Sequence, residues 1–99
     1  MSHKVRFTNE AIDDLEESAV WYNDRKENLG IEFIEEVEDK VNFIIQNPES
    51  FPFKYSDRRS VSLKRFPFHI VFIVENNEVI VLAVAHHKRN PFFWQQRNR

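Results

Sequence analysis

Residues 68 to 86 read FHIVFIVENNEVIVLAVAH, two nearly unbroken apolar runs, Phe68–Glu75 and Glu78–His86, joined by Asn76 and Asn77. Runs of this length rich in Val, Ile and Phe favour extended strands. Asparagine tolerates the positive φ angles that a two-residue hairpin turn demands. The chain is therefore committed to a β-hairpin that is apolar on both faces, and both faces must be covered. The turn sets Glu75 opposite Glu78. Continued without interruption, that register puts Phe68, Ile70, Phe72 and Val74 with Val79, Val81, Ala83 and Ala85 on one face, and His69, Val71 and Ile73 with Ile80, Leu82, Val84 and His86 on the other. The first face, large Phe against small Ala, is the expected seat for helices. The second needs a cover from the Pro91-Phe92-Phe93-Trp94 tail, a second copy, or another protein.

The rest of the chain supplies the helices. His3–Phe7 alternates polar and apolar residues as a short first strand. Thr8 or Asn9 can cap a helix running to about Lys26, with Glu10, Asp13 and Asp14 near its N-terminal dipole. Ile12, Leu15, Ala19 and Tyr22 recur at helical spacing and predict its buried stripe, widened by Trp21. Gly30, the sole glycine, falls where the chain must reverse and suits a left-handed backbone. Phe33, Ile34, Val37, Val41, Ile44 and Ile45 then mark a second helix, stopped by Asn47-Pro48. Val61 and Leu63 alternate with Ser60, Ser62 and Lys64 as an edge or half-exposed strand. The expected fold is α+β: an N-terminal strand and a helical hairpin packed on an antiparallel sheet of about four strands, in the order β-α-α-β-β-β, forming one domain over residues 1–99.

Composition narrows the chemistry. The chain has no cysteine, which removes thiol nucleophiles and Cys-ligated zinc and fits a reducing cytoplasm. No apolar run reaches the roughly 18 to 20 residues of a membrane span, and the N-terminus lacks the apolar centre of a secretory signal. Charge is divided: residues 1–50 hold 13 of the 16 acidic residues, and residues 51–99 hold 9 of the 14 Lys and Arg. The basic half suits phosphate or an acidic protein segment.

His86 and His87 are neighbours in a strand, so their side chains point to opposite faces and cannot share one ion; no metal or other cofactor is expected. Asp13 with Asp14 and Glu35 with Glu36 read as solvated helix faces. Metal-free RNA cleavage needs an acid, a base and cations around the phosphate. His69, His86 and His87 with Arg65, Lys88 and Arg89 offer those groups if they converge at one end of the sheet. Lys88, Arg89 and Trp94 also suit a grip on nucleic acid.

The ordered set of "WY" in the first helix, "LGIEFIEEV" opening the second, "NPESFP", "RFPFHIVFIV" and "VIVLAVAHHKRNPFFWQQR" resembles the RelE/ParE superfamily of bacterial toxins, across Val5 to Arg97. These are the toxic halves of type II toxin–antitoxin systems, often labelled plasmid stabilisation proteins. The resemblance implies the fold above, a cytoplasmic protein, and a cognate antitoxin whose disordered tail folds onto the toxin, the assembly being a heterotetramer or a homodimer. RelE-like members cleave mRNA on the ribosome, whereas ParE-like members block DNA gyrase. RelE-like nucleases carry Arg in the central strand, where this chain has His69, and Tyr near the C-terminus, where it has Phe93 or Trp94; they are also strongly basic. The resemblance therefore points to a ParE-like gyrase inhibitor that contacts its target through Arg65, Lys88, Arg89 and Trp94. The alternatives are a RelE-like endoribonuclease using His69, His86 or His87, with Arg65 and Arg89 on the phosphate, and a degenerate member that binds an antitoxin and poisons nothing.

Overall fold

The computed structural model describes residues 3–99. Its elements are β1 (Lys4–Phe7), α1 (Asn9–Arg25), α2 (Leu29–Ile44), a 3-10 turn at Pro48–Ser50, β2 (Phe53–Tyr55), β3 (Arg58–Ser62), β4 (Phe68–Glu75), β5 (Glu78–His86) and α3 (Phe92–Gln95). The strands form one five-stranded sheet in the order β1-β5-β4-β3-β2. β1 runs parallel to β5 and all other neighbours are antiparallel. The expected α+β architecture holds, but the antiparallel sheet of about four strands is a mixed sheet of five. Alternation in sequence carries no information on strand direction, and the three residues of β2 are too few to show a period.

Thr8 caps α1, its Oγ1 accepting from the Ala11 N–H at 3.1 Å. The buried side of α1 carries Ala11, Asp14 and Ala19, with Leu15 and Tyr22 packed beside them. Trp21 does not widen this stripe: it is 52% exposed, and the Arg25 guanidinium lies 3.5 Å from its ring centroid. Helical phase explains this, because one residue turns the side chain about 100° away from Tyr22.

Gly30 also departs from expectation. The left-handed residue is Asn28, at φ 67°, and Gly30 is the second residue of α2. A Cβ at Gly30 would run into the Ala19 carbonyl oxygen and lie 2.8 Å from Asn23 Cγ, while the Gly30 N–H donates to Asn23 Oδ1 at 2.7 Å. Glycine is needed for close approach of the two helices, not for reversal of the chain.

Between the helices and the sheet lies the main core, with Phe33, Val37, Val41 and Ile44 of α2 against Ile70, Phe72, Val79, Val81 and Val84. At one end Tyr22, Phe33, Phe66 and Phe68 form a ring cluster with centroids 4.9 to 6.1 Å apart. Each such pair adds about 0.5–1.5 kcal/mol beyond area burial.

Asn76 and Asn77 do take positive φ, 52° and 64°, and Glu75 faces Glu78. The register then slips: Phe72 pairs with Val81, but Val71 pairs with Ala83, leaving Leu82 unpaired in a β-bulge. One extra residue reverses the parity of everything after it. Ala83 and Ala85 therefore lie on the face away from the helices, packed with Val71 and Trp94, while Val84 joins the helix-side core.

That second face is covered by the chain's own tail. Trp94, on α3, is 1% exposed and seals Val71, Ala83 and Ala85, with Phe93 beside it. The strap continues toward the hairpin turn, where Arg99 pairs with Glu75 at 2.8 Å. Arg58, buried in β3, holds it from below by donating to the Arg97 carbonyl at 2.5 Å and to Asn98 Oδ1 at 3.2 Å.

Candidate functional site

Past Val81 the parallel partner β1 has ended, and side chains take over two backbone groups of β5. The Val84 N–H donates to Asp14 Oδ2 at 3.1 Å, and Arg97 donates to the Leu82 carbonyl at 2.9 Å. Arg97 also grips Asp14 with both terminal nitrogens, at 2.6 and 3.2 Å. Asp14, expected on a solvated face, is 7% exposed. The bidentate pair joins α1, β5 and the tail at one point. Asp14 sits three residues after Ala11 and one before Leu15, a phase that placed it on the inner arc of α1. A buried carboxylate there requires a cation from elsewhere in the chain.

At the end of β5, Lys88 N–H donates to His86 Nδ1 at 3.0 Å and the His87 N–H donates to the Pro67 carbonyl at 2.8 Å. These bonds fold the chain into an exposed corner carrying Lys88 and Arg89. Asn90 Oδ1 then accepts from the Phe92 N–H at 2.9 Å, starting the tail. Next to the corner opens a cleft of about 440 Å³ between α1 and the β4–β5 end. Trp21, Tyr22, Pro67, Phe68 and Val84 give it an apolar lining, with Glu17 on one rim and His86 and Arg89 on the other. Burial raises the Tyr22 phenol above its ordinary pKa, keeping it protonated.

The bulge redistributes the histidines. His86 lies on the helix side against Phe68, with ring centroids 5.1 Å apart. His69 instead stacks on His87, centroids 5.5 Å and planes 15° apart, with Trp94 edge-on at 6.0 Å. His69 and His86, expected to share a face, are thus on opposite faces. Burial, then His87, then Lys54 lower the His69 pKa to about 4, and its Nε2 is enclosed without a hydrogen-bond partner. Among the described residues no third His, Asp or Glu joins the pair in a metal-binding group.

Arg65 lies in the β3–β4 loop at this same end of the sheet, where the Pro67 carbonyl meets the His87 N–H, but its charge is engaged by α2. It pairs with Glu32 at 2.8 Å, while Glu36 Oε2 accepts from the Lys64 and Arg65 N–H groups at 2.7 and 3.2 Å. The groove it lines also carries Glu35 and Asp39, so the local field opposes a phosphate. Trp94 is a core side chain with no face open to a partner. Of the expected contacts, Lys88 and Arg89 remain at the corner.

The folded chain holds His69 neutral to about pH 4, whereas in the unfolded chain it titrates near 6.5. Between those values the unfolded state binds more protons, so stability is expected to fall as pH drops from about 6.5 to about 4. Urea midpoints at pH 7 and pH 5 check this: His69→Gln should flatten that part of the profile, and an unaltered pH dependence would count against the assignment.

Comparison with known proteins adds the relatives. A family model described as the ParE toxin of the type II toxin–antitoxin system, parDE, matches residues 5–91. Among solved structures, the chromosomal ParDE system of P. aeruginosa is 19% identical, over 86% of this chain and 96% of that one, with a TM-score of 0.77. The intact E. coli RelBE toxin–antitoxin complex is 19% identical over 89% and 100%, with a TM-score of 0.66. The RelBE2 toxin–antitoxin complex of Mycobacterium tuberculosis is 18% identical over 87% and 99%, with a TM-score of 0.61. These likenesses establish the fold. A comparison with curated protein sequences gave no match.

Proposed function

Because the chain belongs to the ParE toxin family of type II toxin–antitoxin systems, we propose that it arrests growth in the cytoplasm by binding DNA gyrase, and that a cognate antitoxin silences it. The observation that carries this reading is the Lys88–Arg89 corner at the mouth of the apolar cleft. An apolar pocket beside uncommitted cations suits a protein surface with an apolar anchor and neighbouring acid. The antitoxin partner follows from the family, and the ParDE and RelBE neighbours are themselves toxin–antitoxin systems.

A second reading has one observation in its favour. The stacked His69–His87 pair with Lys54 nearby combines a neutral imidazole, a second imidazole and a cation, the groups of a metal-free ribonuclease. It is the weaker reading, because His69 Nε2 is enclosed and Arg65 is committed elsewhere.

A supercoiling assay with purified gyrase separates the two. The expected result is inhibition by the intact chain, weakened about tenfold or more when Lys88 and Arg89 are both replaced by alanine, with ribosome-bound mRNA left whole. Uninhibited supercoiling together with mRNA cleavage that His87→Ala abolishes would overturn the gyrase reading.

A further inference from the structure

Arg89 protrudes from the corner on a long flexible side chain, yet its guanidinium carbon sits 3.5 Å from the Phe93 ring centroid. The same ring lies under Arg97, whose guanidinium carbon is 4.9 Å from the centroid. Arg97 is itself fixed by the bidentate bond to Asp14 and the bond to the Leu82 carbonyl. The contacts thus run from buried Asp14 through Arg97 and Phe93 to Arg89 at the cleft rim. Arg89 has no carboxylate partner among the described residues, so its donors are uncommitted.

We propose that Phe93 and the Asp14–Arg97 pair are positioning residues for Arg89, holding its guanidinium flat at the cleft mouth to receive a carboxylate of the target protein. The inference rests on the gyrase reading for the identity of that target. The physical reason is entropy: an arginine already laid on an aromatic face loses less freedom when it binds than one that sweeps through solvent. The cleft's apolar lining would take the side chain next to that carboxylate, so the occupant is an acidic-apolar segment. Arg89 is the contact residue, and Phe93 and Arg97 act through it.

Two measurements on the full-length chain decide the matter. In NMR spectra, the side-chain protons of Arg89 should be shifted upfield by the ring beneath them. Phe93→Leu should abolish that shift, and Arg97→Lys, which keeps the charge but loses the fork, should reduce it. In the supercoiling assay, Arg89→Ala and Phe93→Leu should each weaken inhibition about tenfold. The double variant should be no worse than either, and Phe93→Tyr should retain inhibition. Unchanged melting and an unchanged Trp94 indole N–H resonance in Phe93→Leu identify the loss as positional. Full inhibition by Phe93→Leu, losses that multiply in the double variant, or an Arg89 shift indifferent to Arg97→Lys each overturn the proposal. If the unmodified chain leaves gyrase untouched, the target reading fails, and the NMR result alone decides whether Phe93 and Arg97 hold Arg89.

Discussion

Replacing Asp14 with alanine is expected to cost about 3 kcal/mol of folding stability, because it leaves the largely buried Arg97 guanidinium with only the exposed Glu10 carboxylate, 3.9 Å away, as counter-charge. It also removes the acceptor from the Val84 N–H, which lies on the edge of β5 that β1 leaves open past Val81. Asp13, the preceding residue and exposed, is the control: Asp13→Ala should change stability by no more than about 0.5 kcal/mol. Asp14→Leu with Arg97→Met should recover part of the loss, since an apolar pair leaves no bare charge. It cannot recover all, because the Leu82 carbonyl and Val84 N–H lose their partners, at about 1–3 kcal/mol each. Denaturant midpoints measure these differences. Equal small effects from Asp13→Ala and Asp14→Ala would show that the pair is not a structural lock.

Trp94→Ala is expected to cost a further large amount, about 3–5 kcal/mol in the range for large-to-small core changes, and to lay bare Val71, Ala83 and Ala85. A domain of this size has a total stability of about 5–15 kcal/mol, so either variant removes a large share. Trp94→Phe should cost far less, about 1 kcal/mol, since it keeps most of the ring volume and deletes an indole N–H that is enclosed without a partner. Binding of a dye that reports exposed apolar surface should rise in Trp94→Ala and remain low in Trp94→Phe. A fully folded, dye-silent Trp94→Ala protein would mean that the tail does not carry the cover on that face.

Trp94 and Trp21 show where sequence reading succeeds and where it stops. Two apolar strand faces demanded two covers, and the aromatic tail was one of three that could supply the second; the fold uses it. Trp21 had composition and approximate spacing in its favour, yet helical phase turns it to solvent. Gly30 was recognised as special, but conformational freedom and absence of a side chain are separate properties of glycine, and only packing shows that the second is in use here.

At the candidate site, Lys88 and Arg89 could be read from a basic stretch following a strand. The separation of His69 from His86 could not, because it depends on one unpaired residue, Leu82. A bulge leaves no mark in an apolar run, since both of its residues satisfy the same burial. Asp14 and Arg97 lie 83 positions apart, and each alone reads as an ordinary surface charge.

The sequence by itself determined the two long helices, the Asn-Asn hairpin and the need to bury both of its faces, because these follow from local periodicity and turn chemistry. Strand direction, the slip at Leu82, the pairing of the histidines and the Asp14–Arg97 lock were decided by the tertiary structure alone. Each depends on which distant backbone and side-chain groups meet, and those meetings are set by packing the whole chain at once.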